Sequence, residues 1–246
     1  VFSVFAGAFV LAFVFSFLPA SFSISLLMLF TKSLRMSFGD IFPRSFIRPS
    51  LEAFARLGLT PKSISLEELS QNGIPRDWEM RPLMHAMDCG ELSSEEFVSI
   101  MKSESHEGTT DQDIIDAFNC IIHLPRRRLE WLRELRRHYR VYLLSNIGDL
   151  HWQETLRQAE EHGIPLRECF DEVFLSYRLH IVKPDPRIYE VLIGQTGIDP
   201  AETLYIDDLP DNIKAGEEKG LVGHKIDCNA LDRELPRLFP CLTADN

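Results

Sequence analysis

The stretch "LYIDDLPDNIKAG", residues 204–216, decides how the rest of the chain is read. An apolar run stops at two adjacent carboxylates, Asp207 and Asp208; a proline follows, then a helical pattern closed by Gly220. Two like charges side by side repel, and the apolar residues before them offer no compensation. Paired acids at the end of a strand suit a hard divalent cation such as Mg2+, which takes carboxylate oxygens, water and phosphate oxygens. The plainer reading is a helix N-terminus, where the macrodipole favours acids.

Upstream and downstream the pattern alternates. "PRRRLEWLRELRRHY" reads as a helix, "RVYLLSN" as a strand ending at Ser145–Asn146, and "HWQETLRQAEEHG" as a helix. "EVFLSY" reads as a strand, "PRIYEVLIGQTG" as a helix, "TLYIDD" as a strand and "LVGHKID" as the last strand. Strands alternating with helices imply parallel βαβ units, and such sheets bind ligands beyond the carboxyl ends of their strands. Ser145, Asn146, Asp207 and Asp208 all fall at strand ends, and Lys183 lies in the loop "IVKPDP". The hydroxyl of Ser145 and the amide of Asn146 can donate to a phosphate-like oxygen. Lys183 can stabilise charge on a nucleophile or a transferring group. Each alone has a bland alternative, a turn or a solvated lysine; the three in this order on one scaffold are far more specific.

Residues 55–122 are helical in pattern. "PSLEAFARLGL" aligns Leu51, Phe54, Leu57 and Leu59 near one face, with Gly58 as a stop. "SSEEFVSIM" carries a capping box from Ser93 to Glu96, and "TTDQDIIDAFNCIIHL" is a second capped amphipathic run.

The first fifty residues differ from the rest. Residues 1–30 contain no charged side chain, and eleven of the 17 phenylalanines precede residue 50. Three readings fit: a membrane segment, since about 20 apolar residues span a bilayer; a signal peptide lacking a basic start; or an extension or shifted frame. The location expected is cytoplasmic, with membrane anchoring through residues 1–30 as the alternative.

The net charge of −11 and pI near 5.2 argue against a nucleic-acid surface. They fit a protein acting on small molecules, with an anionic substrate met by a local positive centre. Five cysteines, widely spaced and without a CxxC pair, give neither a disulfide framework nor a zinc site.

These motifs resemble those of the haloacid dehalogenase-like hydrolases: "VYLLSNIG" their second motif, "VKPDPRIYE" their third and "LYIDDLPDNIKAG" their fourth. The likeness covers roughly residues 51–228. It implies an α/β fold, a Rossmann-like parallel sheet core with an inserted helical cap. The chain then divides into an apolar segment (1–30), a degenerate first strand (31–54), a helical cap (55–122), the core (123–235) and a tail (236–246). Carried over by residue, Ser145 contacts the transferring group with Asn146 beside it on the substrate. Lys183 steadies the nucleophile, Asp208 with Asp207 holds Mg2+, and Asn212 stands where many members have a further Asp.

The family's first motif should supply a nucleophilic Asp at a strand end. Here "MSFGDIF" is the preferred match and puts Ser37 in that place; a second alignment uses "SLLMLF" as the strand and puts Thr31 there. Neither supplies a carboxylate. A serine hydroxyl needs a neighbouring base where an aspartate does not, so weak or absent turnover is expected. The implied activity is a Mg2+-dependent phosphatase of a small phosphorylated metabolite. The alternatives are a 2-haloacid dehalogenase and a non-catalytic phosphate-binding or regulatory member of the fold.

Overall fold

Alternating apolar runs and capped helices become a parallel sheet flanked by helices. The computed structural model describes residues 10–15, 25–27, 52–59, 80–227 and 230–243. Its strands are β1 (Val10–Phe15), β2 (Ser25–Leu27), β3 (Val141–Asn146), β4 (Glu172–Leu175), β5 (Thr203–Asp207) and β6 (Val222–Lys225). Its α-helices are α1 (Met80–Asp88), α2 (Ser94–Glu104), α3 (Asp111–Asn119), α4 (Arg126–Leu135), α5 (Asp149–Glu161), α6 (Ser176–Leu179), α7 (Pro186–Thr196), α8 (Pro210–Glu217) and α9 (Leu231–Leu238).

The parallel strands lie in the order β4–β3–β2–β5–β6. β1 runs antiparallel to β3 and also touches β5. In β3, Val141 to Ser145 are all buried, the pattern of a strand covered on both faces. The strand between β3 and β5 comes from the "SLLMLF" stretch: Leu26 faces Val141 on one side and Leu204 on the other. Ser37, Thr31 and the "MSFGDIF" stretch lie outside the described residues.

The interior forms two apolar clusters. One surrounds the sheet and includes Leu143, Leu144, Phe174, Ile188, Ile206 and Leu132. The other gathers Phe54, Met87, Phe97, Met101, Ile114 and Phe118 from the described residues 52–59 and 80–119. The predicted capping box forms, with the side chain of Ser93 accepting from the backbone of Glu96, and the second capped run also carries one, with Thr110 accepting from Asp113. Gly197 closes α7 in the left-handed region at φ 65°, where a side chain would be strained.

One element departs from the expectation. The strand read from "EVFLSY" stops at Leu175, and Ser176 begins a helical turn. The cause is polar: the buried Ser176 hydroxyl bonds to the backbone of Ile147 and Asp88, which turns the chain away from the ladder. Among the described residues no helix is long and apolar enough to cross a membrane.

Candidate active site

Three of the four predicted segments meet at the carboxyl edge of the sheet. β3 delivers Ser145 and Asn146, the loop before α7 delivers Lys183, and β5 delivers Asp207, with Asp208 next in the chain.

Lys183 is fully buried. Its Nζ donates to Oδ2 of Asp207 at 2.9 Å and to the carbonyl of Leu144 at 3.1 Å. Burial pushes its pKa below the usual lysine value, while the charges of Asp207 and Asp208 pull it back. An ammonium in such a place persists only where acids and acceptors surround it.

Asp207 is equally buried and accepts four hydrogen bonds. Oδ2 takes Lys183 and the Tyr205 hydroxyl at 2.9 Å; Oδ1 takes the Leu209 amide at 2.9 Å and the Asn212 amide nitrogen at 3.0 Å. A carboxylate has about four acceptor directions in all, so this acid is saturated by protein donors. The Tyr205 hydroxyl leans on that of Tyr189 at 3.1 Å, and Tyr189 donates to the carbonyl of Asn212 at 2.9 Å. Burial and the nearby Asp207 drive both phenols well above the ordinary tyrosine value.

Asn146 serves the backbone. Its Oδ1 accepts from the Lys183 amide at 2.7 Å and its Nδ2 donates to the Lys183 carbonyl at 2.9 Å. Both ends of the amide thus clamp the lysine's own loop. Ser145 is different: its hydroxyl is buried and makes no hydrogen bond among the described residues. A buried orphan polar group is costly, and at a strand tip it marks a place for a partner.

As to a metal, Asp207 has no acceptor direction left. Asp208, half-buried at the sheet edge, supplies the carboxylate that suits a hard cation. Asn212 offers a buried Oδ1 without a hydrogen bond among the described residues. No group of three or more His, Cys, Asp or Glu gathers there or elsewhere among the described residues.

Sequence reasoning missed Tyr189 and Tyr205. The signal was present for Tyr205, because residues two apart in a strand point to the same face as each other, here Tyr205 and Asp207.

The family description "haloacid dehalogenase-like hydrolase" matches residues 67–220. A D-ribitol-5-phosphate phosphatase from Bacteroides thetaiotaomicron is 31% identical over 195 residues, 77% of this chain and 88% of the relative. A sesquiterpene phosphatase from Aspergillus oryzae is 34% identical over 119 residues, 47% of this chain and 57% of the relative. Among solved structures, a HAD family enzyme from Bacteroides thetaiotaomicron in a magnesium complex superposes with a TM-score of 0.64. It is 26% identical, with 77% of this chain and 89% of that one covered. Ordered motifs, a parallel sheet that brings them together and a matching family description over more than half its length agree: the chain belongs to the haloacid dehalogenase-like hydrolases.

Proposed function

We propose that this hydrolase is built to cleave small phosphomonoesters with Mg2+. The observation that carries the reading is a buried lysine–aspartate pair lying beside the orphaned hydroxyl of Ser145 and the carboxylate of Asp208, at one sheet edge. In this reading Ser145 donates to a phosphoryl oxygen. Lys183 offsets the negative charge of the transferring group. Asp208 is the residue that would hold Mg2+, and Asp207 serves to hold Lys183. When bound, the cation neutralises phosphate charge. The phosphatases among the relatives support the phosphoryl substrate over a halogenated acid, and the relative named for D-ribitol-5-phosphate supports a polyol or sugar phosphate. The cap role expected of residues 55–122 belongs to the same reading: the separate apolar cluster of their described residues suits a lid over the sheet edge.

The family's chemistry starts with a carboxylate attacking phosphorus while the alcohol leaves; water then releases phosphate. This chain has Ser37 or Thr31 in the nucleophile's place, so its turnover is weak. The location of β2 between β3 and β5 favours the alignment that ends in Thr31, since that strand belongs to "SLLMLF".

The test is an aryl phosphate assay with and without Mg2+ on the unaltered chain, Thr31→Asp and Ser37→Asp. An aspartate at one of the two positions should raise turnover by orders of magnitude, dependent on Mg2+. Robust, metal-independent turnover of a 2-haloacid, or turnover unchanged by both substitutions, would overturn the reading. Asp208→Asn should abolish any stabilisation of the chain by Mg2+.

A further inference from the structure

β4 ends on a hydroxyl that two other segments use. Ser176 is fully buried and follows Leu175, which faces Ser145 across the β3–β4 ladder. Its Oγ donates to the backbone carbonyl of Asp88, at the end of α1, at 2.6 Å. The same oxygen accepts from the amide of Ile147 at 2.9 Å, and the Ile147 carbonyl lies farther off at 3.3 Å. One hydroxyl therefore joins the end of α1, the turn after β3 and the start of α6. A hydroxyl sealed from water is costly unless its hydrogen bonds are made. Here its donor and an acceptor direction both go to backbone groups.

Ile147 directly follows Asn146. The side-chain amide of Asn146 accepts from the Lys183 amide at 2.7 Å and donates to the Lys183 carbonyl at 2.9 Å. Holding the Asn146–Ile147 peptide therefore holds the base from which that clamp reaches. The stretch from Ser176 to Lys183 is tied to the end of α1 a second time. His180, in the left-handed region at φ 54°, donates from Nδ1 to the carbonyl of Cys89 at 3.0 Å. Gly90 lies so close that an added Cβ would stand 2.1 Å from the Tyr177 carbonyl oxygen.

We propose that Ser176 is a positioning residue for the reactive edge: its hydroxyl locks the Asn146–Ile147 turn to the end of α1, and through Asn146 it sets where the backbone of Lys183 stands. The inference rests on the reading of that edge as a phosphate site. The coupling itself can be tested apart from it.

The experiment is amide hydrogen exchange on the full chain, unaltered and as Ser176→Ala and Ser176→Cys, with titrations of inorganic phosphate in Mg2+ alongside. Alanine removes both hydrogen bonds; cysteine keeps a side chain of similar shape with a weaker donor and acceptor. In Ser176→Ala the Ile147 and Lys183 amides should exchange about tenfold faster or more, while Leu143 and Met101 keep their protection. Ser176→Cys should fall between Ser176→Ala and the unaltered chain at the same two amides. Inorganic phosphate should bind about tenfold more weakly to Ser176→Ala, and less weakly to Ser176→Cys. Faster exchange at Ile147 with no change at Lys183 would overturn the inference, as would an equal rise at every amide. Phosphate binding to the unaltered chain and to Ser176→Ala with equal affinity would overturn it too. If exchange behaves as expected but the unaltered chain binds no phosphate, the coupling stands and the phosphate reading falls.

Discussion

Nζ of Lys183 stands 2.9 Å from Oδ2 of Asp207, and neither side chain reaches solvent. The pair is asymmetric. Among the described residues Lys183 donates to Asp207 and to the Leu144 carbonyl, whereas Asp207 serves four donors.

That asymmetry sets the order of two substitutions. Removing one partner of a buried ion pair costs about 3–5 kcal/mol. Asp207→Leu should fall at the upper end or beyond, because it strands the donors of Lys183, Tyr205, Leu209 and Asn212 together. Lys183→Met leaves Asp207 with three of its donors and should cost less. Urea unfolding of the two variants checks the order; equal losses would contradict it.

The tyrosine pair should rank in the same way. Tyr205→Phe removes a hydrogen bond to Asp207 itself and should cost about 1–3 kcal/mol. Tyr189→Phe leaves that bond in place and should cost less. The phenyl rings keep their edge-on contact in both variants, so differences in unfolding free energy report the hydroxyls.

Two buried groups titrate with opposite effect. Burial lowers His151 from 6.5 to about 3 and raises Asp88 from 3.8 to about 7. The neutral His151 contributes stability that is whole above 6.5 and is lost as pH falls toward about 3. The protonated Asp88 contributes stability that is whole below 3.8 and is lost as pH rises through about 7. Between 3.8 and 6.5 the two slopes oppose each other. Each is worth about 1.4 kcal/mol per pH unit at most. Asp88→Asn should therefore gain on the unaltered chain as pH rises through this window, and His151→Gln should gain as it falls. Urea midpoints measured across pH 4–7, about the window in question, decide the sign.

Ser145→Ala should separate stability from binding. The hydroxyl it removes has no partner among the described residues, so stability should change by less than about 1 kcal/mol in either direction. Phosphate affinity should fall by about tenfold. A large loss of stability with unchanged affinity would show that the hydroxyl serves the fold.

Much of this was legible because local rules and tertiary structure agree. The capping boxes at Ser93 and Thr110 and the buried strands ending at Asn146 and Asp207 follow from short-range pattern. The three ordered motifs placed Lys183 beside the acids. What could not be read was the partner of each polar atom. Nothing in the order of residues says that Asn146 spends both halves of its amide on Lys183, or that Ser176 ends β4 by reaching Asp88, 88 positions away. Asp207 and Asp208 look alike in the chain. They differ because Asp207 ends β5 inside the protein, whereas Asp208 lies one residue past the strand and is only half-buried. The first motif is hidden for a different reason: "SLLMLF" is the more apolar stretch, "MSFGDIF" matches the family pattern at Phe38, Gly39 and Asp40, and neither supplies a carboxylate.

The two apolar clusters share no residue. Inherited change can therefore repack the helices around Phe97 and Phe118 without disturbing the neighbours of Lys183. If the helical residues are the cap proposed above, what the protein accepts and how it reacts become separately adjustable traits, joined by a few polar threads.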